Sequence, residues 1–220
     1  MEIKHVGIIL DGNRRWAKEN GVALEETYYK FIDKSRDVIN FLFNNNIKEV
    51  TYYLMSKKNF YRDAVDVRSV TPPLVEFLKS YCLEFLDQGV MVQQVGNTDC
   101  MSSTVKHEVD ELHTTCKEYL KKGKFDKKLN ILLGYDPIDE INGAISKNYL
   151  KFEDLSINSH IDVVIRTATN DAPMRLSDFV PLQCSFAILY DTKDLFLDTK
   201  LDYYGKVLEQ ASQVVLRKGK

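Results

Sequence analysis

The chain has 220 residues, 44% hydrophobic and 28% charged, with a formal net charge of −2. That length suits a single domain over residues 1–220 with a substantial core, and so balanced a charge gives no footing for a nucleic-acid partner, leaving anion binding to local clusters of Arg and Lys. Cys82, Cys100, Cys116 and Cys184 make neither a Cys-x-x-Cys pair nor a zinc spacing and read as reduced thiols of a cytoplasmic protein. With no leader pattern and no apolar run near the roughly 18 residues that span a bilayer, any lipid substrate is expected to be met from the water side.

Residues 6–10 are apolar or small, too few for a helix and suited to a strand buried on both faces of a parallel sheet. The run stops at Asp11. Gly12 allows a tight turn, Asn13 is placed to cap a helix, and Arg14, Arg15, Trp16, Ala17 and Lys18 continue as that helix to about Asn20. The free N–H groups and positive dipole end of such a helix start attract an anion, most naturally a phosphate, and Arg14 and Arg15 add charge. Asp11 would repel the same anion unless it holds a divalent cation, since Mg2+ takes carboxylate and phosphate oxygens together. The other reading of Asp11 is a helix cap in a surface turn.

Residues 24–46 predict a longer amphipathic helix carrying Phe31, Ile32, Val38, Ile39, Leu42 and Phe43, ended by Asn44-Asn45-Asn46. Residues 50–55 predict a second buried strand, whose end runs into Ser56, Asn59 and Arg62: a group-orienting and proton-relaying set, or an ordinary turn. Pro72-Pro73 predicts the opening of a helix reaching about Asp87. Further strands are expected at 90–95, 129–134, 161–165 and 186–190, with helices at 103–121 and 199–215. His107 and His113, six apart, do not share a helix face and read as surface residues. Lys121, Lys122, Lys124, Lys127 and Lys128 read as a solvated loop, with peripheral contact to a membrane surface as the alternative. This alternation predicts an α/β fold, a parallel sheet of about six strands flanked by helices.

His5, Asp11-Gly12-Asn13-Arg14-Arg15-Trp16-Ala17-Lys18 resembles the signature of the cis-prenyltransferases, the undecaprenyl and dehydrodolichyl diphosphate synthase family. Ser56, Asn59, Phe60 and Arg62 are similar to that family's Ser-x-x-Asn-Trp-x-Arg. Arg166-Thr167 with Arg175-Leu176-Ser177-Asp178-Phe179 resembles its Arg-Thr-Gly-Gly-x-x-Arg-Leu-Ser-Asn-Phe, although residues 168–174 are three longer and lack both glycines. Arg217 and Gly219 match its Arg-x-Gly tail, which reaches into the partner's site in family dimers.

The resemblance implies a Mg2+-dependent prenyltransferase that moves an allylic prenyl group from its diphosphate to a second prenyl diphosphate, isopentenyl or dimethylallyl. It implies Asp11 as the metal ligand, with Asp11, Ser56 and Asn59 catalytic. Substrate binding then falls to Gly12, Asn13, Arg14, Arg15, Trp16, Tyr28, Phe60, Arg62, Arg166, Arg175, Ser177, Arg217 and Gly219. A homodimer follows from the same likeness, as does an apolar prenyl-binding cleft walled by the helices over 24–46 and 72–87. Departures are specific: Leu24, Thr27 and Tyr28 stand where the family has an Arg and a Gly-His pair, the turn from Tyr135 to Ile141 lacks the family Arg, and Ile188 stands where a Glu assists the metal. The Leu and Tyr resemble lavandulyl- and cyclolavandulyl-type synthases, implying short-chain or irregular head-to-middle condensation, with alcohols as further acceptors. The alternative is a non-catalytic subunit that binds a lipid diphosphate or activates a partner synthase.

Overall fold

Five apolar or small residues at the start of the chain build the centre of the sheet. In the computed structural model, which describes residues 1–148, 151–170 and 173–215, β1 (His5–Ile9) is buried at every position. It pairs in parallel with β2 (Glu49–Ser56) on one side and β5 (Val163–Arg166) on the other. With β3 (Val90–Val95), β4 (Lys127–Tyr135) and β6 (Ile188–Asp191) the order is β3-β4-β2-β1-β5-β6, and every pairing is parallel. Strands covered on both faces need no polar alternation, which is why the runs read as continuously apolar.

Seven α-helices flank the sheet among the described residues: α1 (Asn13–Asn20), α2 (Leu24–Asn44), α3 (Ala64–Glu76), α4 (Cys82–Asp87), α5 (Ser103–Lys122), α6 (Pro137–Ser146) and α7 (Leu201–Ser212). On one face Phe31, Ile39 and Leu42 of α2 pack with Tyr52, Phe77, Phe85 and Leu112. On the other, Ile9, Leu132, Tyr135 and Val164 pack with Phe179 and Val180. After β1 the chain lays β2, β3 and β4 on one side and then crosses to put β5 and β6 on the other. In open parallel sheets that reversal opens a crevice at the strand carboxyl ends, which is where ligands bind.

The expected α/β fold and six-stranded parallel sheet are what the chain adopts; several local boundaries are not. Pro72-Pro73 does not open a helix: α3 begins eight residues earlier, where the Asp63 carboxylate accepts from Val65 N at 3.0 Å, and both prolines lie in its second half. They leave the Arg68 and Ser69 carbonyls without an i+4 donor, at a cost of about 3 kcal/mol for an interior proline. Burial of Val70, Pro73 and Leu74 offsets this, and the helix continues through a π turn, Phe77–Tyr81, into α4. Asn13 is the first residue of α1 and makes no capping bond; Gly12 at φ 104° occupies the cap. His113 is half-buried rather than on the surface, and that desolvation lowers its pKa. Among the described residues no helix is long and apolar enough to cross a membrane.

Candidate functional site

The carboxyl end of β1 delivers Asp11 to the mouth of α1. Its backbone is fixed by the buried Thr167, whose Oγ1 accepts from Asp11 N at 2.8 Å and donates to Asp11 O at 3.0 Å, while Phe196 N donates to the same carbonyl at 3.1 Å. Gly12 N donates to Asp11 Oδ1 at 2.7 Å. A Cβ at position 12 would lie 2.8 Å from Ala168 Cβ and 2.9 Å from Leu195 Cδ2, at a φ disfavoured for L side chains. Glycine is therefore required where the strand turns into the helix.

The register Ile9↔Arg166 puts the Arg166 guanidinium beside this junction. It donates to Asp11 Oδ2 at 3.2 Å and to Ser177 Oγ at 2.8 Å, and also to the Arg175 carbonyl. Its side chain is only 11% exposed, whereas that of Asp11 is 50% exposed. The loop that Arg166 holds is bent: Ser177, Asp178 and Val180 have φ of 51°, 69° and 21°. Left-handed non-glycine residues cost about 1–3 kcal/mol each, so a clamp is needed. Tyr53 of β2 supplies a second hold, its hydroxyl donating to Ser177 O at 3.2 Å and its ring 5.6 Å from that of Phe179. Lys58 supplies a third, 2.6 Å from Asp178. Burial pushes the Tyr53 hydroxyl up to about 12, keeping it a protonated donor.

Two cavities meet at Asp11 and Arg166. The first, about 260 Å³, is lined on its polar side by Asp11, Asn13, Arg14, Ser56, Asn59, Arg62 and Ser177, and on its apolar side by Tyr28, Phe31, Ile32, Leu54, Val70 and Leu74. The second, about 300 Å³, is lined by Arg15, Arg175, Thr169 and Asn170. Asp11, Asn13, Arg14, Arg15, Ser56, Asn59, Arg62, Arg166, Arg175, Ser177 and Tyr28 thus converge, and Gly12 shapes the turn among them. Trp16 and Phe60 do not line either cavity. Trp16 Nε1 donates to Asp198 at 2.9 Å, and Phe60 packs against the core. Arg217 and Gly219 lie outside the described residues. His5 sits at the opposite end of the sheet, with Nε2 2.7 Å from Thr51 Oγ1.

Sequence reasoning missed Thr167, Tyr53 and Asp66, the last paired with Arg14 at 3.0 Å. Thr167 stood inside a quoted motif. Tyr53 carried no local signal, because its partner is 124 residues away.

Asp11 fits a divalent cation in part. Its carboxylate stands at the rim of the first cavity, and the buried Asn13 Oδ1, lining the same space, has no hydrogen-bond partner. Among the described residues no cluster of three or more His, Cys, Asp or Glu could hold a metal. Such a donor set suits Mg2+, which keeps waters and is completed by substrate phosphates.

Residues 9–219 match the family model described as "Putative undecaprenyl diphosphate synthase". An isoprenyl transferase of Aquifex aeolicus is 28% identical over 96% of this chain and 93% of that protein. A tritrans,polycis-undecaprenyl-diphosphate synthase (geranylgeranyl-diphosphate specific) of Pyrobaculum aerophilum is 26% identical over 98% and 95%. The fold is similar to that of the lavandulyl diphosphate synthase of Lavandula x intermedia crystallised with dimethylallyl diphosphate, with a TM-score of 0.80, 20% identity and 96% of each chain covered.

Proposed function

Because the chain belongs to the undecaprenyl diphosphate synthase family of prenyltransferases, we propose that it transfers a small allylic prenyl group from its diphosphate to a second prenyl diphosphate. The condensation is short-chain or irregular head-to-middle, with alcohols as further acceptors. The observation that carries this reading is the pair of guanidinium-lined cavities sharing Asp11 and Arg166, one of which has an apolar inner side.

The volumes argue for small substrates. At about 260 Å³ the apolar-sided cavity is below the roughly 300–1,000 Å³ typical of drug-sized ligands. Each isoprene unit buried there contributes up to about 4 kcal/mol at roughly 0.8 per carbon group. A lavandulyl diphosphate synthase of similar fold holds dimethylallyl diphosphate, which supports the same size of donor.

Two diphosphates of charge about −3 held roughly 7 Å apart repel by on the order of 20 kcal/mol at an effective dielectric of 20. Arg14 and Arg62 face one cavity, Arg15 and Arg175 the other, and Arg166 stands between them. That distribution offsets much of the charge of both groups and favours charge developing on the departing diphosphate. Asp11 and the Asn13 side-chain oxygen Oδ1 would hold Mg2+, which supplies Lewis-acid stabilisation of the leaving group. In the transfer the allylic C–O bond breaks, the acceptor's double bond supplies the electrons of the new C–C bond, and a proton is lost. Ser56 and Asn59 orient the acceptor and relay that proton, with a phosphate oxygen as its final base.

The homodimer and the peripheral membrane contact belong to the same proposal. β6 is an edge strand with exposed Leu189, a surface that pairing with a second copy would cover. Lys121, Lys122 and Lys124 are exposed beside exposed Leu120 and suit an anionic surface.

The test is incubation with Mg2+ and dimethylallyl or longer allylic diphosphates, with and without isopentenyl diphosphate, and product identification by mass and NMR. Short or branched products are expected; a regular ladder of long cis products overturns the short-chain reading. Asp11→Asn is expected to lower turnover by about 10²–10³, the loss typical of one transition-state contact. Unchanged activity of the system assembled with a partner synthase would leave the non-catalytic subunit as the better account.

A further inference from the structure

Arg14 is already occupied. It is the second residue of α1 and lines the first cavity, yet its Nη1 lies 3.0 Å from the Asp66 carboxylate in the first turn of α3. Asp66 does not itself line the cavity, but its charge reaches Tyr28, which does: burial raises the Tyr28 pKa, Asp66 raises it further, and Arg62 and Arg14 oppose. One nitrogen of a guanidinium that lines the cavity is thus held by a carboxylate from outside it.

The first half of the helix carrying Asp66 is its less buried half. Pro72 and Pro73 leave the Arg68 and Ser69 carbonyls without i+4 donors, so two of the bonds joining the first half of α3 to its second half are missing. Ala64, Val65 and Arg68 are exposed, and Val70 is the first buried residue of the helix. Among the described residues, Arg14–Asp66 is an ion pair that joins this half-helix to α1.

We propose that Asp66 is a latch on the diphosphate subsite: it holds Arg14 while the site is empty, yields it to the incoming diphosphate, and reclaims it as the diphosphate product leaves. The claim rests on the diphosphate reading of the cavity and adds that affinity there is set by competition with an internal carboxylate. Arg14 is 55% and Asp66 21% exposed; a pair this accessible is worth about 0.2–1 kcal/mol, a factor of roughly 1.4–5 in affinity.

The experiment is calorimetric titration of pyrophosphate, at fixed Mg2+, into wild type, Asp66→Asn, Arg14→Gln and the double variant, with melting temperatures recorded for each. Asp66→Asn is expected to bind pyrophosphate roughly 1.4–5-fold tighter and to be more strongly inhibited by it in turnover. In the Arg14→Gln background the same change is expected to do nothing. Tightening that persists without Arg14 is general charge repulsion and overturns the latch; weaker binding in Asp66→Asn overturns it too, since Asp66 would then be supporting Arg14. If wild type takes up no pyrophosphate, the diphosphate reading falls and the latch with it. If wild type binds and Asp66→Asn is unchanged, only the latch falls.

Discussion

Arg166→Lys isolates what the guanidinium fork does beyond its charge. The arginine reaches Asp11 Oδ2 at 3.2 Å and Ser177 Oγ at 2.8 Å at once, besides the Arg175 carbonyl. A lysine ammonium keeps the charge and can serve one of these partners but not all three in fixed geometry. One charge-assisted hydrogen bond is worth about 1.5–3 kcal/mol, so kcat/KM is expected to fall roughly 10–150-fold. Global stability is expected to fall by no more than the same about 1.5–3 kcal/mol, since the lysine keeps one partner and the Asp11 side chain is half-exposed. Steady-state kinetics on dimethylallyl diphosphate, read as diphosphate release, measure the first quantity and urea unfolding the second. A kcat/KM within threefold of wild type, or a loss of several kcal/mol in folding with normal activity, would refute the clamp.

His5 is buried against Glu49, Asp162 and Lys128, and desolvation lowers its pKa to about 4. A folded value below the unfolded 6.5 means the unfolded chain binds the proton first, so stability is full above about pH 6.5 and is lost as pH falls toward 4. Glu49, whose pKa is lowered, acts in the same direction. Between pH 7 and 5 the His5 contribution is on the order of 2 kcal/mol; urea unfolding of His5→Gln should show a shallower pH dependence, and an identical one would contradict the assignment. Leu54→Ala deepens the first cavity at a cost of about 2–5 kcal/mol in stability; longer prenyl products by mass spectrometry are expected, and an unchanged product length would place the floor elsewhere. Magnesium titrated alone should bind weakly, and in the presence of pyrophosphate much more tightly; equal affinity in both titrations would contradict a single-carboxylate site.

The sheet and the Asp11 junction were legible because their signals are local. Five small or apolar residues ending in Asp-Gly can hardly be anything but a buried strand breaking into a turn. The start of α3 was missed for a local reason as well: two adjacent prolines outweighed the Asp63 cap, although the packing of Val70 and Leu74 decides the matter. The hold on residues 177–180 could not be read at all. It needs Tyr53 and Lys58 from β2 and the turn after it, and Arg166 from β5, brought together by the register of β2, β1 and β5. Trp16 and Phe60 show the converse, since membership of a motif did not place them in a cavity.

The same register changes what the loss of an acid at position 188 means. Ile188 opens β6 opposite Val163, while Arg166, which reaches Asp11, pairs with Asp191. Three residues of strand separate the two levels, about 10 Å at 3.3 Å per residue. A glutamate at 188 would therefore have stood near the start of β5 rather than beside Asp11 of its own chain. Asp191 is at the right level, but it accepts from Thr169 Oγ1 at 2.7 Å. The carboxylate available at the cavity rim is thus Asp11, whose oxygens receive Gly12 N and Arg166. The proposed Mg2+ site would share Asp11 with the Arg166 guanidinium, so it would be filled together with a diphosphate that engages that guanidinium.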